Sequence, residues 1–145
     1  MEKPENVIFY SLDKAIKSYR QMAQLKLNDA GFDITVDQWL LMNMIHENPE
    51  MSQQEMAERV FKDNASITRI IDLLVKKGYL KRSTMVSDKR RANLNMTVKG
   101  ERLIISAKKV VSGYRKAALK GLSGIELSKV KTVLGIITEN CVKNK

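Results

Sequence analysis

One short stretch changes its hydrophobic period part-way along, and that change limits what the chain can fold into more than any other feature. Residues 63–97 read DNASITRIIDLLVKKGYLKRSTMVSDKRRANLNMT. Ile67, Ile70, Ile71 and Leu74 fall at i, i+3, i+4 and i+7, which puts one apolar stripe on a helix. The spacing predicts an amphipathic helix over 63–77. Asp63 suits its N-cap, Lys76 and Lys77 suit the negative end of its dipole, and Gly78 supplies the left-handed residue that commonly ends a helix. The outward face is then Asn64, Ser66, Thr68, Arg69 and Asp72, short polar side chains with one long cation, able to approach base edges and phosphates closely.

After Gly78 the period becomes 2. Leu80, Arg82 and Thr84 alternate with Lys81 and Ser83, and Leu94 and Met96 alternate with Asn93, Asn95 and Thr97, which reads as a hairpin of two short strands. Ser87 to Arg91 between them is too charged to be buried. A helix followed by a basic hairpin is a winged helix. With these residues in view, ITRIIDLLVKKGYLKR followed by SDKRRANLNMTVKGERL resembles the multiple antibiotic resistance regulator (MarR) family of bacterial transcription factors. The resemblance extends over nearly the whole chain. Its most specific part is the wing signature Asp-x-Arg, here Asp88 and Arg90, followed by the strand ending Leu94 to Thr97 and then Gly100.

The formal charge of +10 is unevenly placed. From Arg59 to Arg102 there are twelve Lys and Arg against four Asp and Glu, so most of the excess is local. A local basic patch is the footprint of a polyanion partner, although a lysine-rich surface that merely aids solubility gives the same composition. The winged-helix context decides for double-stranded DNA. No apolar run reaches the roughly 18 residues of a membrane span, and the N-terminal residues lack the basic and apolar blocks of a signal peptide, so the expected location is the cytoplasm. The single cysteine, Cys141, excludes an intrachain disulfide and a cysteine-built zinc site.

In chain order, Leu12, Ala15, Ile16, Tyr19 and Ala23 hold helical spacing in a first helix that runs from about Asn6 to near Gly31, and Val7 to Tyr10 add more apolar surface than a lone helix can hide. Thr35 to Gln38 reads as a capping box before a buried helix carrying Trp39, Leu40, Leu41, Met44 and Ile45, which Asn48-Pro49 ends. Ser52 to Glu55 repeats the device and opens a short helix, which with the helix over 63–77 makes a helix-turn-helix. Thr97 caps a long helix through Leu103, Ile104, Ala107, Val110, Val111 and Tyr114. Gly121 to Gly124 breaks it, and Ser123 to Glu126 is a third capping box before Leu127, Val130, Leu134 and Ile137. The fold expected is mainly α with a small β-hairpin wing, one protomer over 1–145. Within it, 33–97 is the winged helix-turn-helix region, flanked by dimerisation helices over 5–31 and 98–145. The apolar pattern permits a homodimer; the family resemblance implies one.

In helix-turn-helix geometry the first helix crosses the backbone, so Ser52, Gln53 and Gln54 are phosphate-contact candidates, with simple capping and solvation as the bland alternative. Asn64, Ser66, Thr68 and Arg69 are candidates for bases, sugars or phosphate, with local helix bonding as the alternative for the hydroxyls; Lys76 and Arg82 are further DNA candidates. The resemblance implies that Arg90 enters the minor groove while Asp88 holds the wing, and Lys89 and Arg91 share that role or bind phosphate. It also implies a pseudo-palindromic operator, the wing over 80–97 at the minor groove, and a small lipophilic or phenolic anion as effector in a cleft that Tyr19, Trp39 and Tyr114 could line. No ligand-site residues are assigned. For Met22, Met42, Met44, Met51 and Met56 ordinary core packing is the better reading. His46, without a cluster of other ligands, is read as a helix-end or packed residue, and Cys141 as structural or incidental. No catalytic residues, metal or cofactor are expected. The rivals to a regulator, which is expected to repress, are a sequence-tolerant architectural DNA binder and a winged helix used for protein association.

Overall fold

The first long helix begins at Val7 without a side-chain cap, whereas each later helix begins where a short polar side chain takes up a free backbone N–H group. The computed structural model describes residues 2–60, 62–83 and 93–145. After a single 3-10 turn at Pro4–Asn6, α1 spans Ile8–Asp29, α2 Val36–Glu47, α3 Gln53–Arg59 and α4 Asn64–Lys76. The hairpin strands β1 (Leu80–Arg82) and β2 (Leu94–Met96) follow, then α5 (Val98–Ala118) and α6 (Gly124–Lys143). Thr35 Oγ1 accepts from the Gln38 N–H at 3.0 Å and the Gln38 side chain accepts from the Thr35 N–H at 3.0 Å, so the expected capping box is complete. Ser123 and Glu126 close the same reciprocal pair before α6. At Ser52 only half of the box forms. Its hydroxyl accepts from the Glu55 N–H at 3.1 Å, while Glu55 does not reach back.

Residues 1–114 and 115–145 make two compact units. In the first, Leu27 of α1, Leu41, Met42 and Ile45 of α2, Met56 of α3, Ile67 and Leu74 of α4, Leu80 of β1 and Val111 of α5 are essentially removed from water. Burial of side chains of this size is worth roughly 1.5–3 kcal/mol each, which makes this core the main stabilising term. Met42, Met51 and Met56 lie in it and Met22 and Met44 pack against it, as their reading as core predicted. Gln24 ties α1 to the start of α2: its Nε2 donates to the Ile34 carbonyl and its Oε1 accepts from the Val36 N–H, both at 3.0 Å.

Leu80 pairs with Met96, Lys81 with Asn95 and Arg82 with Leu94 in an antiparallel hairpin. The Ser83 N–H extends the ladder to the Asn93 carbonyl at 2.6 Å, with Asn93 at φ 54. Gly78 adopts φ +82 and turns the chain out of α4 into β1. The hairpin is pinned to α5 by backbone contact: the Thr97 N–H donates to the Tyr79 carbonyl at 3.1 Å, and a Cβ on Gly100 would stand 2.2 Å from that same oxygen. Only glycine allows α5 to start so close.

The apolar surplus at the chain ends is largely uncovered within the protomer. Leu12 and Tyr19 of α1 are half-buried, whereas Ala15 and Ile16, expected on the same face, are exposed together with Ile8, Phe9 and Tyr10. No residue of α6 is buried. The first half of α1 contributes nothing to the buried core, whose α1 members are Ala23 and Leu27 near its other end.

Candidate nucleic-acid interface

The described residues that the sequence offered as DNA candidates lie mainly on α3 and α4. Asp63 caps α4, its Oδ1 accepting from the Ser66 N–H at 2.7 Å. That bond and the Ser66 hydroxyl hold the Asp63 carboxyl below its usual pKa, helped by Arg69 and Lys62 and opposed by slight desolvation. Ile67, Ile71 and Leu74 turn inward, and the phase of the helix then leaves Asn64, Ala65, Thr68, Arg69 and Asp72 exposed. Arg69 Nη2 donates to the Ser66 hydroxyl at 3.2 Å, which draws the guanidinium toward the helix N-terminus. Lys76 is exposed too, but two turns beyond Thr68, roughly 12 Å along the axis.

Residues 34–92 match the model of the MarR family. Solved structures share the architecture over nearly the full chain. The S. aureus MepR–DNA complex superposes with a TM-score of 0.82 at 20% identity, covering 96% of this chain and 99% of that one. A mutant MarR from E. coli complexed with operator DNA gives 0.81 at 20% identity, covering 94% and 99%. BpsR of Bordetella bronchiseptica, solved to explain how 6-hydroxynicotinic acid regulates its DNA binding, gives 0.83 at 16% identity, covering 95% and 97%. At such identities these likenesses carry the fold.

Within the matched region the candidates fall into distinct groups. Asn64, Ser66, Thr68 and Arg69 are gathered in the first turns of α4. Ser52 is engaged as the cap of α3, and exposed Gln54 lies within 3.5 Å of the Glu58 carboxylate. Gln53 faces α4: its Nε2 donates to Thr68 Oγ1 at 2.8 Å and to the Asn64 carbonyl at 3.3 Å. Arg82 of β1 forms an ion pair with Asp72 of α4, so the acidic residue on the exposed face has its charge answered and the hairpin is tied to the helix beside it. Asp88, Lys89, Arg90, Arg91 and Thr84 lie outside the described residues.

Other charges in the basic stretch have structural work. Lys77 Nζ donates to the Asp33 carbonyl at 2.8 Å, and Lys99 Nζ donates to the Lys77 carbonyl at 2.8 Å while lying 4.8 Å from the Tyr79 ring centroid. Asp37 of α2 binds both Arg20 of α1 and Lys62, which directly precedes the α4 cap, at 3.2 Å in the second case. Two features were not singled out from sequence. Ala65 is exposed beside Thr68 and Arg69, and helical phase alone could have found it. The Gln53–Thr68 contact joins residues of different helices, for which the sequence holds no local signal.

His46 is exposed at the end of α2, its Nδ1 3.1 Å from Glu101 Oε2 of α5, which fits the helix-end reading. Trp39 and Tyr114 are buried and half-buried Tyr19 meets Tyr114 edge-on at 5.8 Å between centroids, an arrangement of core packing. Cys141 is exposed. No helix among the described residues is long and apolar enough to cross a membrane.

Proposed function

We propose that this chain is a transcriptional regulator that binds double-stranded DNA as a homodimer, each protomer placing α4 in the major groove of one half of an inverted-repeat operator. The observation that carries the reading is the first two turns of α4. A capped helix end, anchored by Ile67 and Ile71, presents Asn64, Ala65, Thr68 and Arg69 to the outside with Asp72 already paired. The local excess of Lys and Arg over 59–102 suits a polyanion partner, and the short side chains let the helix approach base edges. In this reading 33–97 is the DNA-reading region, Arg90 on the wing enters the minor groove, and 5–31 with 98–145 form the dimer. The uncovered Ile8, Phe9 and Tyr10 and the exposed apolar residues of α6 support that assembly.

The protein acts as a regulator and not as a catalyst, and repression is the expected sign because a dimer seated on promoter DNA obstructs polymerase. A small lipophilic or phenolic anion is the proposed class of effector, as the regulation of BpsR by 6-hydroxynicotinic acid suggests. It would release DNA only through unequal affinity for two arrangements of the reading heads. The test is selection from a random DNA pool at near-physiological salt. An enriched inverted repeat with half-sites about one helical turn apart supports the proposal; bound DNA without a shared motif favours an architectural binder, and no bound DNA favours protein association. On the selected site, Arg90→Ala is expected to weaken binding by about 1–3 kcal/mol.

A further inference from the structure

We infer that Gln53 and Thr68 form an acceptor-only reading element, so that each half-site carries, opposite Thr68, a base whose major-groove edge offers an exocyclic amino group: adenine or cytosine. The inference rests on the proposed regulator and deepens it. It follows from the direction of hydrogen bonds. The Asn64 carbonyl can only accept, and it accepts from the Thr68 hydroxyl at 2.9 Å and from the Gln53 amide at 3.3 Å. The amide nitrogen of Gln53 must therefore face α4; a flipped amide would set two acceptors against each other.

Three consequences come from counting protons and lone pairs. The single hydroxyl proton of Thr68 is used on Asn64. One lone pair of Oγ1 takes the Gln53 N–H at 2.8 Å, leaving one lone pair on an exposed side chain. The polar atom of Gln53 not engaged with α4 is its carbonyl oxygen, also an acceptor. Phosphate oxygens accept and cannot donate, so neither atom suits the DNA backbone. In the major groove guanine and thymine present only acceptors from their O6, N7 and O4 atoms, whereas adenine N6 and cytosine N4 donate. Gln53 is thus a positioning residue: its bond to Oγ1 keeps the hydroxyl turned toward Asn64, and without it the hydroxyl is free to swing outward and donate.

The experiment starts from the DNA selected by the full-length protein. Adenines of one half-site are replaced singly by purine and cytosines by 2-pyrimidinone, each lacking only the amino group, and affinity is measured for wild type, Thr68→Val, Thr68→Ser and Gln53→Met. One position is expected at which removing the amino group weakens wild-type binding about three- to tenfold, the range of one neutral hydrogen bond. Thr68→Ser should keep this penalty and Thr68→Val should lose it. Gln53→Met, whatever its overall affinity, should narrow the gap in binding between the selected base and guanine or thymine at that position. The inference is overturned if no amino-group deletion costs the wild type more than Thr68→Val, or if Gln53→Met keeps the wild-type base preference. Failure to select any common motif overturns the regulator reading itself, which separates the two failures.

Discussion

Helices α4 and α6 start alike and end up in opposite circumstances. Each opens with a side-chain cap, Asp63 in one and Ser123 in the other, and each spaces aliphatic residues at helical intervals. In α4, Ile67, Ile71 and Leu74 are buried and the polar face is free to work; in α6 no side chain is buried, and Val130, Val133, Leu134 and Ile136 are exposed. Capping is settled among neighbours along the chain, so both helices obtain it. Burial needs another element at the right distance, and α4 has it in the core of residues 1–114. In the proposed function α4 is the reading helix, which must hold its position before it meets a ligand, and α6 is a dimer helix, which would take its cover from the second copy.

The comparison can be broken most forcefully at its buried end. Leu74→Ala removes a fully buried side chain from α4 and is expected to cost about 2–5 kcal/mol in urea unfolding. A cost near zero would mean that α4 is not held by this core. At the exposed end, Val130→Asp combined with Leu134→Asp should leave the helix content of residues 1–114 intact while weakening self-association at least about tenfold, as loss of central interface residues does. Sedimentation at a series of concentrations checks this, and an unchanged dimer would remove α6 from the interface.

A smaller effect is expected at the tie between α4 and the hairpin. Arg82→Ala removes an exposed ion pair, so stability should fall by about 0.2–1 kcal/mol, while DNA binding should suffer more because the Asp72 carboxylate then faces phosphate alone. Equal losses in both measurements would argue against α4 as the reading helix. The smallest effect belongs to the caps. Asp63 and Glu126 each have a depressed pKa, caused first by the N–H of Ser66 and of Ser123. A carboxylate with a folded pKa below its unfolded one contributes stability that is complete above the ordinary carboxylate range and disappears as pH falls through the folded value. Asp63→Asn keeps a capping oxygen without the ionisation, so its stability should match wild type near neutrality and fall less steeply in acid. The same replacement with an unaltered acid limb would show that the cap bond is not made by the ionised form.

Much of the fold was legible because its signals are local. The stripe of Ile67, Ile70, Ile71 and Leu74, the cap at Asp63, the left-handed Gly78 and the change of period at Leu80 each depend on residues within one or two turns of each other, and each appears where the sequence placed it. The exposed polar face of α4 was legible for the same reason, since fixing the buried stripe fixes the opposite side. Ser52 and Glu55 are the instructive exception: the spacing of a capping box was present, yet only the serine half is made.

Periodicity, and side chains reaching their own backbone, are enough to set the helices, most of their caps, the hairpin and the polar face of α4. Only the tertiary structure decided which polar groups remain available. It turned Gln53 toward Thr68, set Arg82 on Asp72, placed Lys62 and Arg20 on Asp37, and committed Lys77 and Lys99 to backbone carbonyls. Hydrogen bonds and ion pairs act over a few ångströms between atoms that packing brings together from distant positions, and no period along the chain encodes which atoms those are.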